Sequence, residues 1–216
     1  MRIQQIYKEQ NGEQFIRKND SIVGLYFHNI VGLPLIRLMQ KLKLHFSPNV
    51  ITIVTLIFGL IAGYCFFMGQ LIYGMVFFVL NMISDTLDGK WARLTNQKTK
   101  LGEKLDQTSD RISKASWYVG IWYSQYYGHE YWWIGICLIV AHYMTEIFRE
   151  KIIKTDIFLY IKYLYYSPFE DAYVTFFIAP LFTLLFRIPH YYTFSFAVLL
   201  LILSYARYQY FVRKNV

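Results

Sequence analysis

Cysteine is scarce. Cys65 and Cys137 are the only two, each inside an apolar stretch and neither with a Cys or His at metal-ligand spacing. That excludes a disulfide framework and a thiolate-held metal, and leaves the pair as packing or lipid-facing residues. Charge is scarce as well, at 17% of residues, whereas hydrophobic residues make up 56% and aromatic residues 20%. Soluble globules carry about a quarter charged residues, so a membrane protein is the expected class. Acidic side chains number 14 against 22 Lys and Arg, a net charge of +8. The basic residues alternate with apolar segments instead of forming one basic domain, so nucleic acid is not an expected partner, and anionic lipid and phosphorylated substrates fit better. The histidines, His28, His45, His129, His142 and His190, are scattered at no ligand spacing. The first twenty residues contain no apolar run, so no signal peptide is expected and the N-terminus is expected to stay in the cytosol.

Long uncharged runs are what the chain has instead. Ile51 to Gly69 is nineteen residues without a charge, close to the roughly 20 that a helix needs to cross hydrocarbon. Leu71 to Ser84 is fourteen residues long before Asp85 interrupts it, so the second helix is expected to carry carboxylates near one membrane face. The third run, Ala115 to Tyr123, is too short unless its helix begins about ten residues earlier and takes in Asp106, Asp110, Arg111 and Lys114. Tyr131 to Thr145, Ala172 to Phe186 and Tyr191 to Ala206 reach spanning length once interfacial Tyr, Trp and Lys are counted. The expected fold is therefore all-α and integral to the membrane, with six transmembrane helices in one domain over residues 1–216, the bundle covering 47–210. Ahead of it, residues 21–46 mix apolar residues with Arg37, Lys41 and Lys43 around Pro34, which reads as an amphipathic segment on the cytosolic leaflet; the alternative is a soluble lead-in. Gly59 and Gly63 form a small-xxx-small pair suited to close helix approach, and Pro180 predicts a kink in the fifth helix.

Six spans place both termini and the 85–110 and 149–167 connections on one side. Of the 22 Lys and Arg, all but Arg187 fall there, which by the positive-inside rule makes that side cytosolic.

The charged ends of the second and third helices lie on that side. Ionisable residues in spanning segments are expensive and mark function by default. At about 100° per residue, Asp88 lies about 60° from Asp85, Gly89 about 40° and Ala92 about 20°, so two carboxylates and two small residues share a stripe. Gly102, Asp106 and Asp110 repeat the pattern at i, i+4 and i+8 on the next helix. The link of roughly Leu94 to Leu101 is short enough to make these helices antiparallel neighbours with four carboxylates in one recess. Such a cluster repels itself unless a divalent cation binds, and an all-oxygen set selects Mg²⁺ or Mn²⁺. Mg²⁺ keeps positions for phosphate oxygens, so a phosphorylated, diphosphate-containing substrate is expected, with Arg93, Lys98 and Lys100 near enough to add contacts. Four carboxylates merely solvated in a loop would not account for the shared stripes.

The run Asp85-x-x-Asp88-Gly89-x-x-Ala92-Arg93, eight residues, Gly102, three residues, Asp106, three residues, Asp110 resembles the signature of the CDP-alcohol phosphotransferase (CDP-alcohol phosphatidyltransferase) family at every specified position. Ser47-Pro48-Asn49 ahead of the first span is similar to this family too. The resemblance implies attack of an acceptor hydroxyl on the β-phosphate of a CDP-alcohol with release of CMP. It implies Asp85, Asp88, Asp106 and Asp110 as ligands of Mg²⁺ or Mn²⁺, two ions, with Asp110 also the catalytic base. It further implies Asp85, Gly89, Ala92, Arg93 and Gly102 at the CDP site, a small alcohol or phosphoalcohol acceptor, membrane lipid as surroundings, and a homodimer. Arg111 directly after the last Asp resembles the branches that use inositol phosphate; Lys114, Arg149 and Arg207 are further acceptor candidates, with snorkelling to lipid headgroups as the alternative. Glycerol phosphate and serine stay open as acceptors. Two rival classes remain: a cation-coupled transporter, against which the carboxylates cluster at one face and not the midplane, and an intramembrane prenyltransferase, whose aspartate pattern lacks the Asp-Gly-x-x-Ala-Arg core.

Overall fold

The computed structural model describes residues 28–42, 46–124, 132–152, 172 and 174–215, and every regular element among them is helical. They are α1 (Leu33–Lys41), α2 (Pro48–Phe67), α3 (Leu71–Leu94), α4 (Lys100–Tyr123), α5 (Trp132–Ile152), α6 (Ala179–Phe186) and α7 (His190–Asn215). Helix thus occurs in each of the six predicted stretches. By length and apolarity α2 and α3 qualify to cross a membrane, and the apolar parts of the later helices, such as Trp132–Met144, are shorter.

Helix ends follow local chemistry. Pro48 opens α2, where its missing N–H costs no hydrogen bond. At the other end Gly69 takes φ 69°, while Gly69 N–H and Gln70 N–H donate to the carbonyls of Phe66 (3.0 Å) and Cys65 (2.8 Å). This left-handed cap closes the helix where the sequence predicts its end. Asn96 does the same for α3 with φ 54°: its N–H donates to Arg93 O (3.4 Å) and Gln97 N–H to Ala92 O (2.9 Å). Asn is one of the few residues with a side chain that visits this region at modest cost. Thr99 then caps α4, its hydroxyl accepting from Gly102 N–H at 3.0 Å. Helix α4 therefore starts at Lys100, five residues ahead of the start predicted from apolar length alone.

Both prolines expected to disturb helices are accommodated by π-helical turns. His28–Gly32 runs into α1 ahead of Pro34, and Val174–Ile178 runs into α6 ahead of Pro180. The wider turn relieves the clash of the ring with the carbonyl four residues back. In α1, Leu33 and Ile36 are buried and Leu38 is exposed; the predicted juxtamembrane segment otherwise includes 21–27 and 43–45, which lie outside the described residues.

Helix α2 packs along both α3 and α4. Gly59 and Gly63 make the approach to α4 possible: a methyl at Gly59 would fall on Ser113, and one at Gly63 within 2.5 Å of Ser116 Oγ. The bared Gly59 carbonyl accepts from Trp117 Nε1 (2.9 Å) and lies 3.1 Å from Ser116 Oγ, whose nearer acceptor is Ser113 O at 2.7 Å. Asn81 of α3 donates to Thr55 O at 2.7 Å, so buried amide and hydroxyl groups tie the three helices where lipid offers no partner. Below this layer lies an aromatic core around Phe176, with ring centroids 4.8 Å from Tyr118, 5.4 Å from Trp117 and 5.6 Å from Phe66. The core takes the N-terminal part of α3 and the C-terminal part of α4, leaving their opposite ends to the carboxylates.

Candidate active site

The backbones of α3 and α4 do not pack closely on each other; each packs on α2, and the two meet through side chains such as Phe78 and Trp117 (4.9 Å). The two helices face each other as expected, with contact through side chains and not through close backbones, and the physical consequence is space. Between the α3 end and the α4 start, a cleft of about 460 Å³, its open mouth included, is floored by the first turns of α2.

Asp85, Asp88 and Asp106 bring one carboxylate oxygen each within 4.8 Å of one another. Two oxygens on one octahedral Mg²⁺ at about 2.1 Å stand about 3–4 Å apart, so small side-chain rotations suit the group to a hard cation. All three donors are oxygens, which agrees with Mg²⁺ or Mn²⁺ and not with a softer metal. Asp110 is outside this three-carboxylate group and approaches Asp85 within side-chain hydrogen-bonding reach. Asp88 is 3% exposed and accepts from Thr52 Oγ1 at 2.8 Å.

Gly89, Ala92, Arg93 and Gly102 line the cleft together with Asp88 and Asp106. A methyl on Gly102 would come within 3.0 Å of Asn49 Oδ1 and 3.1 Å of Thr99 Oγ1, so a side chain there would intrude on the cleft where α4 meets α2. Lys98 lies at the rim, 3.9 Å from Glu103, an exposed pair of small energetic weight. Lys100 is exposed and is not among the cleft-lining residues. Of the acceptor candidates, Arg111 is exposed and Lys114 half-buried on α4; Arg149 and Arg207 occupy helical positions on α5 and α7, and their side chains lie outside the described ones.

Thr52, Gln97, Thr99 and Glu103 line the cleft without having been expected there, and Asn49, noted only for its place ahead of the first span, joins them. Thr52 and Asn49 come from α2, and nothing in helical periodicity tells which distant helix a hydroxyl or amide will meet. Glu103 lines the cleft one residue after Gly102, and its place in the capped first turn of α4 was the available signal. Trp91, buried on α3, donates from Nε1 to Phe46 O at 2.9 Å and so anchors the lead-in to α2 beside the cleft.

The chain belongs to the CDP-alcohol phosphatidyltransferase family, whose model matches residues 45–207. Archaetidylinositol phosphate synthase of Pyrococcus horikoshii is 32% identical over 120 residues, 55% of this chain and 62% of that protein. Phosphatidylinositol phosphate synthase of Cutibacterium acnes is 37% identical over 81 residues, 37% of this chain and 39% of that protein. CDP-diacylglycerol–inositol 3-phosphatidyltransferase of Candida albicans is 31% identical over 102 residues, 46% of this chain and 43% of that protein. The matched stretches thus span between 39% and 62% of these relatives' lengths.

Proposed function

We propose that this protein is a phospholipid-biosynthetic membrane transferase that moves a phosphatidyl group from CDP-diacylglycerol to the hydroxyl of inositol phosphate and releases CMP. The observation that carries the proposal is the convergence of Asp85, Asp88 and Asp106 beside a cleft lined by Gly89, Ala92 and Arg93. Family membership supports the chemistry, and the names of the Pyrococcus and Cutibacterium relatives support inositol phosphate as acceptor, whereas that of the Candida relative names inositol.

In this account Asp85, Asp88 and Asp106, with Asp110 adjoining, hold Mg²⁺ or Mn²⁺ as a pair of ions. When bound, such ions neutralise charge on the diphosphate and on the leaving CMP. Gly89 and Ala92 leave room for the nucleotide, and Arg93 offers charge-assisted hydrogen bonds to phosphate oxygens. Asp110 accepts the proton of the acceptor hydroxyl as its oxygen bonds to the β-phosphorus and the bond to the CMP oxygen breaks. A base so placed contributes roughly 10²–10⁴-fold. Arg111 and Lys114, one and four residues beyond Asp110, would hold the phosphate of inositol phosphate, with Arg149 and Arg207 completing that subsite.

The chain would form one six-span domain with the cleft and both termini facing the cytosol, an amphipathic segment along the inner leaflet, and a homodimer as the assembled form. The deciding experiment supplies purified protein with CDP-diacylglycerol, Mg²⁺ or Mn²⁺, and in turn inositol phosphate, glycerol phosphate and serine. Metal-dependent CMP release with inositol phosphate is expected. CMP release with another acceptor alone would reassign the substrate, and cation transport without CMP formation would replace the enzyme by a transporter.

A further inference from the structure

We infer that Thr52 is a positioning residue for the metal site, acting through Asp88 from a helix that contributes no carboxylate to it. This rests on the assignment of Asp85, Asp88 and Asp106 as metal ligands. Thr52 and Asp88 are each 3% exposed and are 36 residues apart in sequence. The Thr52 hydroxyl has one proton and two acceptors in reach, Pro48 O at 3.2 Å and Asp88 Oδ2 at 2.8 Å. The carboxylate takes it, because a hydrogen bond to an anion is shorter and about twice as strong as one to a neutral carbonyl. Pro48 O loses little, since a helix carbonyl at that position already accepts from the backbone N–H of Thr52 four residues on.

The geometry has a directional consequence. A carboxylate has about four lone-pair sites. Thr52 occupies one on Oδ2 and the Gly89 backbone N–H another, so the carboxylate is held at two points and its remaining sites are left for a cation shared with Asp85 and Asp106, one oxygen of each lying within 4.8 Å of one another. The Thr52 main-chain carbonyl lies 3.5 Å from Ser109 Oγ of α4, a long contact that does not depend on the Thr52 side chain. The Thr52 hydroxyl is thereby placed to set the aim of Asp88.

The test is Mn²⁺ binding to the purified full-length protein, read as free Mn²⁺ by electron paramagnetic resonance, for wild type, Thr52→Val, Thr52→Ser and Asp88→Asn. Loss of a partner that orients a metal ligand usually weakens binding by about 10–100-fold, so Thr52→Val should fall in that range and Thr52→Ser, which keeps the hydroxyl, within about threefold of wild type. Valine is isosteric with threonine, and the melting temperature measured alongside separates a folding defect from a binding one. Equal binding by Thr52→Val and wild type, or equal loss in the Val and Ser variants, would overturn the inference while Asp88→Asn still lost the metal. If wild type fails to bind Mn²⁺ saturably, or Asp88→Asn binds like wild type, the metal-site assignment itself falls and the inference with it.

Discussion

Replacing Gly59 with alanine is the sharpest perturbation of the scaffold that holds the site. The added methyl would land on Ser113, with Ser113 Cβ at 2.5 Å and Asn81 Nδ2 at 2.9 Å, against an ordinary separation near 3.5–4 Å. Helices α2 and α4 would have to part by about 1 Å. Overpacking of this kind costs about 1–3 kcal/mol. Parting also stretches the bond from Trp117 Nε1 to Gly59 O, worth about 0.5–1.5 kcal/mol, whereas the Ser116 proton keeps its nearer acceptor, Ser113 O at 2.7 Å. Alanine regains at most about 1 kcal/mol of helix propensity, so the balance is a loss of about 2 kcal/mol. For a chain of this size that corresponds to a melting temperature lower by about 4–8 °C. The assay is thermal unfolding in detergent beside Mn²⁺ binding, since Thr52 lies two turns earlier on the displaced helix. An unchanged melting temperature with unchanged metal affinity would refute the proposed contact between α2 and α4.

Asp110→Asn should abolish CMP-forming transfer while largely sparing binding of the CDP donor, whereas Asp88→Asn should weaken metal-dependent donor binding; equal loss of binding in both would defeat this division of roles. Asn96→Val forces a β-branched residue to φ 54° and should cost about 1–2 kcal/mol, a fall of about 2–8 °C, while Asn96→Gly should be neutral or better, both read by thermal unfolding.

Much of this was legible because it is local. The stripe of Asp85, Asp88, Gly89 and Ala92 and that of Gly102, Asp106 and Asp110 follow from helical angle alone, and Gly69 and Pro48 mark the ends of α2 by their own backbone limits. The cap at Asn96 was readable in principle, as Asn is the commonest non-glycine residue in that conformation. What helical angle does not encode is which helix packs along two others. The packing of α2 on both α3 and α4, and with it Thr52 and Asn49 at the cleft, depends on Gly59 and Gly63 meeting residues more than fifty positions away. The start of α4 was displaced for a different reason: apolar length locates the part of a helix that lipid covers, and the capped polar turn from Thr99 lies outside that part.

The central claim is that carboxylates from two helix ends grip a cytidine diphosphate through hard cations. Calorimetric titration of CDP into the purified protein, with Mg²⁺ and again with EDTA, addresses it most directly. Saturable binding with Mg²⁺ that disappears in EDTA and in Asp85→Asn is the expected result. Binding of equal strength in EDTA, or no binding in either condition, would contradict the account.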